Sequence, residues 1–339
     1  MNPSIKHLKL VISLIFFGIS MLNNAQEITP SIEKNNTIKE YSIKWVRQFP
    51  SVKKQNKPVH KNWLSIFLFG RRNLPEITKP LAIIASDSSN FLILDQGIGT
   101  IFNIGDNKLK IPKILKKKKE KFPSLVSLCK LTSNEILFTD SRLNRIYRMN
   151  EKQKTLTIFN DSLLLEQPTG IAYSKVSNEI WVIETKAHKI SILNEQGNLI
   201  KTIGKRGTKP GEFNFPTSIW IDQLGNAYII DAMNFRVQVF DKNGKVISVF
   251  GEVGNATGYF ARPKGIATDS HGNIYISDAL FHTVQVFDIS GNFLYQFGKQ
   301  GRGQGEFWMP SGIYIDNKDY IYVADSYNSR IQIFKLLKR

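Results

Sequence analysis

The chain has 339 residues, of which 42% are hydrophobic and 11% aromatic, and its formal net charge is +18. This apolar content is enough for a hydrophobic core, so a wholly disordered protein is excluded. A single cysteine, Cys129, excludes a disulfide framework and a metal site built from several thiolates. Residues 40–121 hold 17 basic and 6 acidic side chains, whereas residues 210–339 hold 12 of each. The positive charge therefore belongs to one region and is not a requirement of the whole fold.

Residues 1–25 have the order of a secretory signal peptide. Lys6 and Lys9 precede an apolar run over residues 10–22, and the small residue Ala25 ends a short polar stretch. The run has thirteen residues, fewer than the roughly 20 that span a bilayer. We expect a secreted or periplasmic protein with a polar leader at 26–40. No cysteine lies near Ala25, which argues against a lipoprotein, and in an exported protein Cys129 is expected to be buried and unreactive.

From residue 80 onwards the chain repeats with spacings of 43 to 48 residues. Each unit opens with a proline and has an acid about fifteen residues later. The prolines are Pro80, Pro123, Pro168, Pro216, Pro263 and Pro310. The acids are Asp95, Asp140, Glu184, Asp231, Asp278 and Asp325. Two independent markers that keep one period over six units indicate six copies of one supersecondary unit.

Each unit reads as four short strands. In the unit that begins at Pro263, alternating apolar residues are separated by turn sequences such as residues 270–273 and 288–291. Four antiparallel strands in about 47 residues predict one blade of a β-propeller, so we expect an all-β, six-bladed β-propeller over residues 80–339. We number the blades one to six in chain order.

The sixth unit ends before its fourth strand, and an N-terminal strand is needed to complete it, because an open ring leaves unpaired strand edges. Residues 41–79 are expected to supply this closing strand and a linker, so that 41–339 form one domain. Residues 41–49 alternate like a strand and are favoured. Residues 63–70 are the other candidate, although their continuous apolar run also fits a short helix.

The last three units carry the pattern P-x-G-I-x-x-D-x-x-G-N-x-Y-x-x-D, then R-V-Q-V-F-D-x-x-G, over Pro216–Phe260, Pro263–Phe307 and Pro310–Phe334. This pattern resembles the NHL repeat, and residues 40–339 are similar to exported bacterial six-bladed NHL propellers. In the first two units Leu81-Ala82 and Ser124-Leu125 stand where the Gly-Ile pair is expected. The resemblance implies a propeller that presents binding surfaces, since only some members are enzymes.

The repeated acids are expected to lie at one end of the central channel. They can form a carboxylate ring that binds a cation. The alternative, which we favour, is a structural role in which they accept backbone N–H groups or pair with Arg145, Arg236 and Arg330. Scaffolding groups repeat in every blade, whereas catalytic groups break the symmetry.

Symmetry-breaking side chains at the tips of the adjacent loops are the candidate ligand- or partner-binding residues, because aromatic and imidazole groups at a channel mouth suit such contacts. These candidates are His188, Met233, Phe235, Arg236, Phe281, His282, Tyr327 and Arg330. A metal-dependent lyase or hydrolase is the alternative function, and the family's amidating-lyase branch uses histidine ligands. Because zinc catalysis needs three converging protein ligands and His188 and His282 lie in blades that are not neighbours, we predict a non-enzymatic binding scaffold without cofactor or bound metal.

The basic run Lys116, Lys117, Lys118 and Lys119 is the second candidate surface. It is expected on the outer part of blade one, where a solvated outer strand and loop is the favoured interpretation and attraction of an anionic partner is the alternative. Nucleic acid is disfavoured as the partner, because the protein is expected to be exported and no stacking aromatic pattern accompanies the lysines. The glycine-rich stretches at 204–211 and 298–305 lack the context of a phosphate loop and are expected to connect blades. Contact of their cations with an anionic ligand is the less favoured alternative, and these cations are Lys205, Arg206, Lys209 and Arg302. The expected partner is therefore an envelope protein or an anionic ligand.

Overall fold

The computed structural model describes residues 41–51, 76–117 and 122–338. These residues form six four-stranded antiparallel sheets. The first strand of each sheet contacts the first strand of the next sheet, and the sixth contacts the first, so the sheets close into a ring around a central channel. The chain is a six-bladed β-propeller, as predicted.

The first strand of each blade lines the channel and the fourth lies outermost. Blade one consists of β2 (Pro80–Asp87), β3 (Asn90–Asp95), β4 (Thr100–Gly105) and β5 (Lys108–Lys110), and blade two of β6 (Leu125–Lys130), β7 (Glu135–Asp140), β8 (Arg145–Asn150) and β9 (Thr155–Ile158). Blade three consists of β10 (Pro168–Ser174), β11 (Glu179–Glu184), β12 (Lys189–Leu193) and β13 (Leu199–Ile203), and blade four of β14 (Pro216–Ile221), β15 (Ala227–Asp231), β16 (Arg236–Phe240) and β17 (Val246–Phe250). Blade five consists of β18 (Pro263–Thr268), β19 (Ile274–Asp278), β20 (Thr283–Phe287) and β21 (Phe293–Phe297), and blade six of β22 (Pro310–Ile315), β23 (Tyr320–Asp325), β24 (Arg330–Lys338) and β1 (Tyr41–Phe49).

The strand β1 closes the ring. It pairs antiparallel with β24, from Tyr41 opposite Lys338 to Phe49 opposite Ile331. Its side chain Ile43 is buried in the core of blades five and six, and the Phe49 ring lies 5.9 Å from the Phe91 ring of blade one. The prediction of 41–49 as the closing strand is confirmed. The predicted signal peptide and leader, and the alternative closing segment at 63–70, lie outside the described residues.

The hydrophobic core lies between neighbouring blades. Every residue of the central strands β15 and β19 is buried, because the adjacent blades cover both faces of the sheet. The outermost strand β17 instead alternates between half-buried and exposed residues. Burial of apolar surface between blades, at about 25 cal/mol per Å², thus favours the closed ring over separate sheets.

The register of blade two corrects two sequence assignments. Leu125, not Pro123, pairs with the repeated acid Asp140, as Pro263 pairs with Asp278 in blade five. Pro123 precedes the strand, because blade two has two more residues between its proline and its acid than blade five has.

The Gly-Ile position also moves in the first two blades. Ile266 pairs with the residue two before the acid of blade five. By the same register the equivalent pairs are Ala82-Ile83 and Ser127-Leu128, so the assignment to Leu81-Ala82 and Ser124-Leu125 was wrong.

One short helix, α1 (Lys113–Lys117), lies in the connection between β5 and β6. Within the described ranges, no helix has the length and apolar character needed to cross a membrane.

Candidate binding face at the channel

The two ends of the channel differ in the loops that surround them. The loops from second to third strands and the connections between blades lie at one end, which we call the channel face. The turns from first to second strands and from third to fourth strands lie at the other end, which we call the hairpin face. The first strands enclose a cavity of about 970 Å³ that reaches from one face to the other. This volume lies within the range of small-molecule sites, about 300–1,000 Å³.

Large side chains line the cavity near its hairpin face. The Trp220 ring of blade four lies 5.4 Å from the Tyr314 ring of blade six, and its Nε1 donates a hydrogen bond of 2.9 Å to Thr268 Oγ1 of blade five. Cys129 lines the same cavity. Cys129 is half-buried and not fully buried as expected. Desolvation raises the pKa of its thiol to about 12, so the thiol is protonated at neutral pH.

The six repeated acids are at most 1% exposed, and their oxygens accept hydrogen bonds from backbone N–H groups of the loop before the first strand. The N–H of Asn214 donates to Asp231 at 2.6 Å, and the N–H of Trp308 donates to Asp325 at 2.7 Å. The favoured structural role of these acids is confirmed. Among the described residues, no three His, Cys, Asp or Glu side chains are grouped so that they could hold a metal ion.

Two of the three arginines expected beside these acids form ion pairs with them. Arg236 Nε lies 2.8 Å from Asp231 Oδ2, and Arg330 Nε lies 2.7 Å from Asp325 Oδ2. All five N–H donors of Arg330 have protein acceptors, four of them in the loop before blade six and in β1. Arg145 is exposed and forms no ion pair with a described residue, so its expected pairing with Asp140 was wrong.

The ion pairs bear directly on the candidate site. Arg236 and Arg330 were candidate ligand contacts, and their guanidinium groups instead hold the glycine-rich connections between blades. Their charge is compensated by a buried carboxylate within the fold.

The residue four positions after each acid has a left-handed backbone with φ between 51° and 63°. These residues are Gly99, Asn144, His188, Phe235, His282 and Ser329. A left-handed residue ends the loop between second and third strands, which explains the shared position despite the different side chains.

Both histidines at this position bind the next blade. His188 Nδ1 accepts a hydrogen bond of 3.1 Å from the Phe215 N–H, and His282 Nδ1 accepts one of 3.1 Å from the Met309 N–H. In blade two, Asn144 Oδ1 accepts from the N–H of Gln167 in the same way, at 2.9 Å. Burial lowers the pKa of the His282 imidazole, which agrees with a neutral ring that accepts at Nδ1.

Exposed apolar side chains do gather on the channel face. Met233, Leu280 and Tyr327 occupy one equivalent position in blades four, five and six and are 55, 52 and 58% exposed. Of the predicted residues, Met233 and Tyr327 thus face solvent. Phe235 and Phe281 are half-buried, and Phe235 packs against the core of blades four and five.

Three cations at the channel mouth were missed by the sequence analysis. Lys79 precedes β2, Arg262 precedes β18, and Lys264 is the second residue of β18, and all three line the cavity. The signal was available, because the residues on either side of the opening prolines of blades one, three, five and six line the cavity. In blade five both of these residues are basic.

The other predicted cations are dispersed. Lys116 is exposed on α1, in the connection after blade one. Residues 118 and 119 lie outside the described residues, so the basic run as a whole stays a prediction. Lys205 lies 3.5 Å from Glu212 Oε1, and the Arg302 guanidinium lies 5.0 Å from the centre of the Trp308 ring. These two cations therefore have partners within the protein.

A family model described as a 6-bladed beta-propeller matches residues 159–234 and 268–338. The matched segments span blade three into blade four and blade five into blade six, including the blades with the clearest repeats. No curated protein sequence matches the chain.

Solved structures give the same result for the fold. An auxiliary nutrient binding protein from Bacteroides thetaiotaomicron superposes with a TM-score of 0.60 at 13% identity, over 77% of this chain and 70% of that one. A similar protein from Bacteroides ovatus gives 0.59 at 15% identity, over the same shares of the two chains. Virginiamycin B lyase from Staphylococcus aureus gives 0.56 at 16% identity, over 77% of this chain and 96% of the lyase. At this level of identity the likeness shows the fold alone.

Proposed function

We propose that this chain is an exported NHL-type propeller that acts as a non-enzymatic binding protein of the cell envelope. The channel face is its binding surface, with loops of blades three to six contributing. The observation that carries the proposal is a cavity of about 970 Å³ that the exposed Tyr327 helps to line, together with exposed Met233 and Leu280 at the equivalent loop positions of the neighbouring blades. Concave apolar surfaces with a few polar groups are typical of ligand sites.

Two further observations support export and binding. The order of Lys6, the apolar run at 10–22 and Ala25 favours a signal peptide. The structural neighbours include auxiliary nutrient binding proteins of Bacteroides species, and capture of a solute or partner at the channel face is the corresponding role here.

The alternative is a metal-dependent lyase or hydrolase on the same face, and a neighbour of that kind is virginiamycin B lyase. Its histidine ligands would have to include His188 and His282. Because both rings use Nδ1 to accept a backbone N–H of the next blade, and Asn144 makes the same bond in blade two, a role in joining blades accounts for them. The binding function is therefore the better supported of the two.

The test is affinity capture with two matched surface variants. One carries Met233→Asp and Tyr327→Asp on the channel face, and the other carries Leu224→Asp and Ile289→Asp on the hairpin face, where both side chains are exposed. Each immobilised protein is incubated with envelope extract, and bound proteins and small molecules are identified by mass spectrometry.

We expect at least one species that the wild type and the hairpin-face variant capture and the channel-face variant does not. Loss only in the hairpin-face variant would contradict the proposed surface. Conversion of a captured molecule into a product, abolished by His188→Ala or His282→Ala, would favour the enzyme.

A further inference from the structure

The channel mouth carries three positive charges from two distant parts of the chain. Lys79 lies in the connection into blade one, and Arg262 lies in the connection into blade five. Lys264 occupies the second position of β18, where blades three, four and six have the hydroxyl residues Thr169, Thr217 and Ser311. All of these residues line the one cavity, so the three cations face a common space.

None of the three cations has a counter-ion among the described residues. The nearby acids are already engaged: Asp278 accepts backbone N–H groups of Ala261 and Arg262, and Asp95 accepts those of Thr78 and Lys79. The described ion pairs all involve other lysines and arginines. The mouth is therefore a positive site without internal compensation.

Among the described residues that line the cavity, the one acid lies at its other end. Asp316 directly follows β22, the channel strand of blade six, and lies about 20 Å along the strand direction from Pro310 at a rise of ~3.3 Å per residue. Its oxygens accept hydrogen bonds from the Tyr322 hydroxyl at 2.9 Å and from the N–H groups of Lys318 and Tyr320. Asp316 is thus distant from the three cations, and its oxygens already accept hydrogen bonds within the hairpin.

The surroundings make this charge costly in the absence of a ligand. Lys264 is half-buried, and desolvation together with the charges of Arg262 and Lys79 lowers the pKa of its ammonium group. An anion placed between the three cations would offset both the desolvation of the Lys264 ammonium group and its repulsion by Arg262 and Lys79. Removal of water from the mouth would also strengthen the attraction, because Coulomb energies rise as the effective dielectric constant falls.

We propose that the channel mouth binds a small solute through an oxyanion group, a carboxylate or a phosphate, held by Lys79, Arg262 and Lys264. The inference rests on the proposed function, since it names the ligand class of the channel face. The planar guanidinium of Arg262 suits two-point contact with a carboxylate or phosphate, and the two ammonium groups supply point charges. The exposed Tyr327, which also lines the cavity, provides apolar surface for the rest of the solute.

The mouth selects a compact anion over an extended polymer. Lys79 and Arg262 are exposed and Lys264 is half-buried, and all three line one concave cavity together with Met309 and Tyr327. Phosphate tracking along a nucleic acid instead needs an open basic stripe. Lys116, the member of the basic run whose side chain the structure describes, is exposed and is not among the residues that line the cavity.

The experiment titrates the mature protein with citrate and, separately, with inorganic pyrophosphate in buffer of low ionic strength, by calorimetry. The two arms distinguish a carboxylate from a phosphate ligand. Variants Lys264→Met and Arg262→Gln remove one cation each. Lys175→Met is the matched control, because Lys175 is an exposed lysine that lines the opposite end of the same cavity.

We expect the wild type and Lys175→Met to bind at least one of the two anions with the same affinity within twofold. Each mouth variant should lose affinity by about tenfold or more, as is usual for a lost charge-assisted hydrogen bond. In anion-free buffer Lys264→Met should also melt at a higher temperature than the wild type, because one of three like charges is gone. This melting curve shows that the variant is folded.

Three results would overturn the inference. The first is that the wild type binds neither anion, and the second is that both mouth variants bind with wild-type affinity. The third is that Lys175→Met loses as much affinity as the mouth variants, which would indicate diffuse attraction to a basic surface. The two experiments change different residues: the channel-face variant of the capture experiment alters Met233 and Tyr327 and leaves all three cations in place, whereas the titration alters Arg262 or Lys264 and leaves Met233 and Tyr327 in place. If a species is captured at the channel face but neither anion binds, the proposed binding function stands and only the oxyanion class of the ligand is wrong. If an anion binds at the mouth but no species is captured at the channel face, the proposed capture of an envelope component is wrong.

Discussion

Blades four to six are stabilised differently from blades one and two, although all have the same four strands. Seven positions after the acid, blades four to six have Gln238, Gln285 and Gln332, whereas blades one and two have Phe102 and Tyr147. Each glutamine accepts an N–H from a glycine of the connection between blades, at 2.8 to 3.0 Å, and donates to a carbonyl oxygen of the same connection. In blades one and two the same position is filled by a buried aromatic ring.

The contrast continues at the hairpin face. In blades four to six an aspartate that ends the first strand accepts a hydrogen bond from a buried tyrosine of the second strand. Blade one has Ser86 and Leu92 at the equivalent positions, and blade two has Leu131 and Leu137. At these positions blades four to six therefore have repeated buried polar groups, where blades one and two have mostly apolar side chains. The difference explains why the repeat is easily visible only in the later blades, since polar networks constrain residue identity more than apolar contacts do.

The largest expected effect comes from the buried acid of blade six. Asp325→Ala leaves Arg330, which is 6% exposed, without its partner, and should lower the free energy of unfolding by about 3–5 kcal/mol. Asp140→Ala in blade two removes an acceptor of three backbone N–H groups but leaves no buried arginine without a partner. We therefore expect it to lower the free energy of unfolding by about 1–3 kcal/mol. Chemical denaturation measures both, with the exposed Asp161→Ala as control. Equal losses for the two acids would contradict the difference between the two halves.

The glutamine of blade five tests the same contrast at a neutral side chain. Gln285→Leu removes the partners of the Gly258 N–H and the Tyr259 carbonyl, and should cost about 1–3 kcal/mol. It should also expose the connection at 251–262 to limited proteolysis. Phe102→Leu, at the equivalent position of blade one, should cost less than about 1.5 kcal/mol as a conservative core change and should leave the connections resistant. Proteolysis of both variants at the same rate would show that the glutamine does not hold the connection.

Most of the fold could be predicted from the sequence, and less of the site. Six units with a proline and an acid at a fixed spacing suffice for a six-bladed ring, and the missing fourth strand of blade six predicts a closing strand at 41–49. The register of blade two was misread because Pro123 precedes its strand, and only the pairing of Leu125 with Asp140 reveals this.

The site was harder to predict for a physical reason. Periodicity shows which residues are equivalent, but it does not show which side chains from different blades face each other. Lys79 and Lys264 are far apart in the chain and line one cavity only because the ring closes. Arg330 and His282, which were singled out for their chemistry, hold neighbouring segments of the fold instead.

The aspartate–tyrosine pairs of the hairpin face predict an alkaline transition. The Tyr228 hydroxyl donates to Asp222 Oδ2 at 3.0 Å, and burial, followed by the charge of Asp222, raises the pKa of this tyrosine. A raised pKa in the folded state stabilises the protein below pH 10, the ordinary value, and this contribution is lost as the pH rises above it. Tyr228→Phe should therefore lower the free energy of unfolding by about 1 kcal/mol at pH 7. Above pH 10 the free energy of unfolding of this variant should fall less steeply than that of the wild type. Chemical denaturation of both proteins at several pH values measures the difference. Equal slopes of the free energy of unfolding against pH above pH 10 would contradict the contribution of the Tyr228–Asp222 hydrogen bond.

The smallest expected effect compares blade five with blade two at the joint between blades. Since the pKa of His282 is lowered in the folded state, the unfolded chain takes up its proton first as the pH falls below 6.5, and the free energy of unfolding declines. His282→Asn copies Asn144 of blade two, which keeps an acceptor for the Met309 N–H without a titrating group and tolerates the left-handed backbone. At pH 8 we expect the free energy of unfolding of this variant to lie within about 0.5 kcal/mol of the wild-type value. Between pH 6.5 and 5 we expect it to fall less than that of the wild type. Thermal melts of both proteins across this range measure the difference, and an identical pH dependence would show that protonation of His282 does not weaken the joint.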